Sequence, residues 1–162
     1  ESFVVDDATR FASLGIDESK ISVTGSVKYD LDIAESHLIK GAAHKQALEE
    51  GQIIWIAAST HDGEEIAAMQ AHKQLLAQQP QALLIVVPRH PERFNSVAKL
   101  AESVGLECAR RSQHSQAGSC VHASTQVLLV DTLGDLLMFY GVADSAFVGG
   151  SLCAVGGHNY LE

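Results

Sequence analysis

The sequence is poor in positive charge, in cysteine and in long apolar runs. Eleven Lys and Arg stand against 20 Asp and Glu, a formal net charge of −9. A broad nucleic-acid-binding face needs clustered basic residues to neutralise phosphates, so this balance argues against one. It also argues against this segment being the part that lies on an anionic membrane. A small phosphorylated ligand, held by a few groups, is still compatible with it. The cysteines Cys108, Cys120 and Cys153 are odd in number and lack CxxC spacing. That argues against a disulfide framework or a zinc site and for reduced thiols in a cytoplasmic setting. No apolar run approaches the length of a membrane span, and no signal peptide is visible. Neither HxxxH nor HExxH occurs, so His61, His90 and His158 do not read as a metal set. The GxGxxG fingerprint with an acidic residue about 20 positions further on is missing, which leaves an NAD or FAD site unsupported.

What is present is an ordinary globular composition, 46% apolar and 19% charged over 162 residues. That suits one domain with one sizeable core. Phe3-Val4-Val5 and Ile21-Ser22-Val23 are short strand candidates, with a turn at Leu14-Gly15-Ile16 after a short helix. Residues 35–50 are helix-prone, and Gly51 suits the end of that helix. Ile53 to Ala58 is a continuous apolar run, the mark of a strand buried on both faces. A polar turn follows, then a helical segment over residues 64–79 in which Ile66, Met69, Leu75 and Leu76 can share a face. The unit recurs: an apolar run at 82–87, then a helix with Phe94, Val97, Ala98, Ala101 and Val104 at spacings of three and four. Residues 106–110 are a weaker strand, and 112–125 an exposed loop. Strands are expected at 127–130 and 145–148, with a core-packing helical stripe from Leu133 to Tyr140 between them. Trp55 reads as core; His44, His72, His114 and His122 read as solvent-facing.

Alternating strands and helices with buried-type strands predict an α/β fold: a Rossmann-like parallel sheet with helices on both faces. Ligands of such sheets sit outside the carboxyl ends of the strands. Four turns lie there: Ser59-Thr60-His61, Pro88-Arg89-His90, Asp131-Thr132-Leu133-Gly134, and Gly149-Gly150-Ser151 with its continuation to Asn159. Arg89 offers a forked contact to phosphate or carboxylate, or is a surface charge. The glycines allow backbone N–H groups to approach a phosphate, or make tight turns. Asp131 reads as a helix cap rather than a catalytic group. Asn159 and Glu162, three apart, would face the same way on a first helical turn, and a carboxylate there can accept both hydroxyls of a ribose.

The motifs Val23 to Asp30 (VTGSVKYD), Ala58 to Glu65 (ASTHDGEE), Val87 to Phe94 (VPRHPERF), Asp131 to Leu136 (DTLGDL) and Phe147 to Leu152 (FVGGSL), followed by Gly156 to Glu162 (GGHNYLE), occur in order with compatible spacing. Together they resemble the Kdo (3-deoxy-D-manno-octulosonic acid) transferases of lipopolysaccharide biosynthesis over nearly the whole chain. The resemblance implies the C-terminal half of a GT-B glycosyltransferase. Residues 1–30 would be an interdomain segment and the start of that half, and residues 31–162 a CMP-sugar donor domain incomplete at its C-terminus. Glu1 is not Met and the last residues read like a helix start, so the chain is expected to continue at both ends. The implied reaction is inverting transfer of Kdo from CMP-Kdo to a lipid A precursor at the cytoplasmic face of the bacterial inner membrane. Its membrane anchor and general base are expected in a preceding N-terminal domain, so no catalytic residue is expected here, and neither a cofactor nor a metal is implied.

By the same resemblance, Arg89 would meet the donor phosphate or lie beside the cytidine, with Pro88 shaping that wall. Leu133 and Gly134 would present backbone, and Ser59 and Thr60 would line the cleft. Asn159 would contact the nucleotide and Glu162 the ribose, with Gly150, Ser151 and Gly157 allowing close approach. The sequence departs from the family pattern at Ser26 and Val27 (often Gly-Asn), at Asp135 (often Glu) and at Leu133 (often Met). Another GT-B sugar-nucleotide enzyme, such as a UDP-sugar transferase or epimerase, and a non-catalytic nucleotide-binding module are the competing expectations.

Overall fold

The computed structural model describes residues 5–23, 51–113, 121–122 and 124–154. The chain divides into two compact units, the first ending at Asp32 and the second beginning at Ile33. In the first, α1 (Val5–Ser13) is followed by a 3₁₀ turn at Glu18–Lys20. Val5 is therefore helical rather than part of a strand, and of the second strand candidate only Val23 makes a β-bridge.

The second unit holds a five-stranded sheet: β1 (Ile54–Thr60), β2 (Leu83–Pro88), β3 (Cys108–Arg110), β4 (Val127–Leu129) and β5 (Ser145–Val148), in the order β3-β4-β2-β1-β5. Every pairing is parallel. The helices α2 (Glu64–Leu76), α3 (Phe94–Ser103) and α4 (Leu136–Tyr140) connect them. Alternation within each strand splits the core in two. Ile54, Ile56, Leu83, Ile85 and Leu128 point to the face covered by Met138 and Phe139 of α4. Ala57, Leu84, Val86, Val127 and Leu129 point to the face covered by Met69 of α2 and Val97 and Ala101 of α3. Because all strands run the same way, all their carboxyl ends lie on one edge. Among the described residues no helix is long and apolar enough to cross a membrane.

Three expectations need correction. The buried face of α2 is Glu64, Glu65, Ala68, Met69 and His72, not one centred on Ile66. Polar groups sit where apolar periodicity would place hydrophobes, because each finds an internal partner. The Leu133 to Tyr140 stripe is not all core: α4 begins only at Leu136, and Leu133 is 83% exposed. His72 is not solvent-facing but completely buried, and half-buried Trp55 donates its Nε1–H to His72 Nδ1 at 3.0 Å.

An imidazole that accepts at Nδ1 is neutral, with its proton on Nε2. Burial pushes the His72 pKa down, with the Gln126 carbonyl acting in the opposite direction. The unfolded chain takes up this proton as pH falls through about 6.5, while the folded chain resists it. The His72 contribution is thus complete above that pH and is lost below it, by up to about 1.4 kcal/mol per pH unit. Denaturant midpoints followed by fluorescence of Trp55, the one tryptophan, should fall between pH 7.5 and 5.5. A His72→Gln chain should show a shallower fall; an identical slope would remove His72 as its source.

Candidate functional site at the carboxyl edge of the sheet

The register of β1 against β2 shifts between Ala58 and Thr60, and Ser59 at the shift has φ 51. This is a β-bulge, which re-aims a side chain at the end of a strand. A left-handed conformation is costly for a residue other than glycine and persists where its surroundings fix it. Ser59 faces a cavity of about 200 Å³ at the ends of β1, β2 and β4. Pro88 and Arg89 close it from the end of β2, and Thr132, Leu133 and Gly134 from the turn after β4. Val87, Val130, Phe94 and Leu136 supply an apolar lining behind them. Among the described residues no carboxylate lines the cavity, and Arg89 brings a cationic side chain to its rim.

The backbone fixes this rim. Arg89 N–H donates to the Thr60 carbonyl at 3.0 Å, tying the β2 turn to the bulge. His61 and His90, in the same two turns, meet edge to face with ring centroids 5.5 Å apart. Gly134, which lines the cavity, adopts φ +86, a conformation that suits glycine. Five of the residues expected from sequence (Ser59, Pro88, Arg89, Leu133 and Gly134) thus come together. Thr60 does not line the cavity: it is buried, and its hydroxyl donates to Glu65 Oε1 at 3.2 Å. Gly150 N–H donates inward to Glu64 Oε2 at 2.9 Å, and Ser151 Oγ donates to the Val148 carbonyl at 3.2 Å. Gly157, Asn159 and Glu162 lie outside the described residues.

Asp131 is not a helix cap. Its carboxylate accepts Arg110 Nε at 2.7 Å and the Ser112 backbone and hydroxyl at 2.8 and 2.6 Å. Burial opposes the Asp131 charge, and these donors outweigh it, holding its pKa below the usual carboxylate range. It ties β3 and the following turn to the end of β4, as a brace rather than a group presented to ligand. Cys108 is also inert: burial pushes its thiol up to about 11, so the nucleophilic thiolate is suppressed.

Two acids that sequence reasoning passed over organise the edge. Glu64 is 1% exposed and accepts three backbone N–H groups at 2.9 Å each: His61 and Gly150 on Oε2, and Leu152 on Oε1. Burial would raise its pKa, but those three bonds together with His61 hold it lowered, so it is a carboxylate. Glu65, completely buried, receives Arg93 Nε at 3.2 Å and a second Arg93 nitrogen at 3.1 Å. Two adjacent acids in a first helical turn look like solvated helix-dipole charges in a sequence; only the fold shows them turned inward.

No family model matches the chain. It is 44% identical over 153 residues to 3-deoxy-D-manno-octulosonic acid transferase of Haemophilus influenzae, covering 94% of this chain and 35% of that protein. The enzyme of the same name from Bordetella pertussis is 38% identical over 164 residues, with 97% and 36% covered. A probable mitochondrial 3-deoxy-D-manno-octulosonic acid transferase of Arabidopsis thaliana is 34% identical over 159 residues. The chain spans about a third of the length of these relatives. Among solved structures, the C-terminal CMP-Kdo binding domain of WaaA from Acinetobacter baumannii matches with TM-score 0.71 and 38% identity, over 78% of this chain and 65% of that one.

Proposed function

On the premise that the chain is homologous to Kdo transferases over nearly all its length, we propose that it is the donor-binding part of such an enzyme and that its edge cavity receives the CMP end of CMP-Kdo. The observation that carries this reading is the convergence of Ser59, Pro88, Arg89, Leu133 and Gly134 on one cavity at the carboxyl ends of parallel strands. A guanidinium there can hold the single donor phosphate and stabilise CMP as it departs. Gly150, Ser151, Gly157, Asn159 and Glu162 complete the donor site in this reading, with Glu162 on the ribose. The fold suits the C-terminal half of a GT-B transferase. The complete enzyme would transfer Kdo to a lipid A precursor at the cytoplasmic face of the inner membrane. Its acceptor hydroxyl would be activated by a carboxylate from another domain, and the sugar would be inverted without a covalent intermediate. This segment would bind the donor without catalysing transfer.

Calorimetric titration with CMP, UMP and UDP-GlcNAc tests the assignment. CMP should bind best, and preference for a uridine nucleotide would point instead to a UDP-sugar enzyme. Arg89→Ala should weaken CMP binding at least tenfold, equivalent to about 1.4 kcal/mol and within reach of one charge-assisted hydrogen bond. Unchanged affinity would remove Arg89 from the site.

A further inference from the structure

We propose that Glu64 is a positioning residue for the donor: through His61, Gly150 and Leu152 its buried carboxylate fixes the bulge at Ser59 and the loop after β5. This rests on the cavity being the donor site. Glu64 does not line that cavity and touches no ligand in this reading. Its influence runs through backbone. Oε2 joins the turn after β1 to the loop after β5 by accepting from His61 and Gly150, and Oε1 secures the same loop at Leu152.

Gly149 sits against this junction. Its N–H donates to the Ala58 carbonyl at 2.8 Å, and a Cβ built there would lie 2.8 Å from Glu64 Oε2. Ser59, left-handed and facing the cavity, is thus held from behind by Gly149 and flanked by the turn that Glu64 ties. A non-glycine residue keeps such a conformation only when its neighbours over-determine it, and the Glu64 clamp supplies that constraint. Glutamine cannot replace the acid. Either carboxamide orientation turns an NH₂ donor toward at least one of the three N–H donors.

CMP titration of the full 162-residue chain, carrying Glu64 or the changes Glu64→Gln and Glu64→Asp, tests this at a temperature where circular dichroism shows each folded. Glu64→Gln should bind CMP at least tenfold more weakly, and Glu64→Asp, which keeps the acceptor charge, should recover part of that loss. If Glu64→Gln binds within twofold of the unaltered chain, whatever its melting temperature, the positioning role is wrong and the donor site stands. Failure of the unaltered chain to bind CMP overturns the donor-site reading and this inference with it. Should Glu64→Gln not fold, amide exchange in the unaltered chain decides. Protection of Gly150 and Leu152 should rise at least tenfold with saturating CMP, and no change would overturn the role.

Discussion

Replacing Gly149 with alanine is expected to cost about 3 kcal/mol of stability and to weaken CMP binding, although the change adds a single methyl group. The added Cβ would collide with the Ser59 carbonyl oxygen and lie 2.8 Å from the Ser59 carbonyl carbon, both backbone atoms. A flexible side chain could swing away from such a contact, but the end of a central strand cannot. The pairing Ala58↔Val148 ends immediately before Gly149, so relief requires β5 to part from β1 or the bulge at Ser59 to unwind. The first course loses the hydrogen bond from Gly149 to Ala58, and the second moves a wall of the cavity. Gly141→Ala is the internal control. That residue already has φ −69, and its added Cβ would meet the Met138 carbonyl at 3.3 Å and the Leu137 carbonyl at 4.0 Å, with no contact under 3.0 Å. Its stability should stay within about 0.5 kcal/mol, the size of an ordinary compatible Gly→Ala change. Equilibrium denaturation of the two variants side by side checks this. A Gly149→Ala chain as stable as Gly141→Ala would show that β1 and β5 do not meet as described.

The sheet was legible in the sequence because fully buried strands announce themselves. Ile53 to Ala58 and the run at 82–87 have no polar residue to blur them, and parallel pairing then puts every following turn on one edge. From those facts the turns that carry Ser59, Pro88, Arg89, Leu133 and Gly134 are expected on one edge; that these residues share a donor site was what the family motifs implied. What could not be read was which way the polar residues face. Glu64, Glu65 and His72 lie inside α2's buried face for reasons that arise from distant segments: Gly150 and Leu152 after β5, Arg93 after β2, and Trp55 on β1. Helical periodicity counts an acid as exposed, so it chose Ile66. Asp131 misled in the same way: it has the composition of a cap, but its partners Arg110 and Ser112 come from a neighbouring strand and the turn beyond it.

The inward-facing acid with the strongest expected effect on stability is Glu65. Its side chain is fully buried, and that of Arg93 is 23% exposed. Arg93 reaches it with two nitrogens, and Thr60 adds a hydroxyl at 3.2 Å. Arg93 also meets Asp62 at 2.9 Å, but that acid is 90% exposed and its attraction is screened by water. Glu65→Ala would leave a buried hydroxyl without its acceptor and a partly buried guanidinium with only the exposed Asp62. Breaking such a pair from one side costs about 3 kcal/mol or more, far above the worth of a surface ion pair. The consequence reaches the site, because Arg93 closes the turn that carries Arg89 and its partner is the residue next to Glu64. Arg93→Ala should destabilise as well, by isolating the buried carboxylate. The double variant should cost clearly less than the two single changes added together, since each removes the same interaction. Replacing both by methionine, which fills the space without charge, should recover much of the loss. Denaturant unfolding of the four variants measures the coupling. Single changes that each cost under about 1 kcal/mol and add without coupling would mean the pair behaves as a solvated surface contact, contrary to its burial.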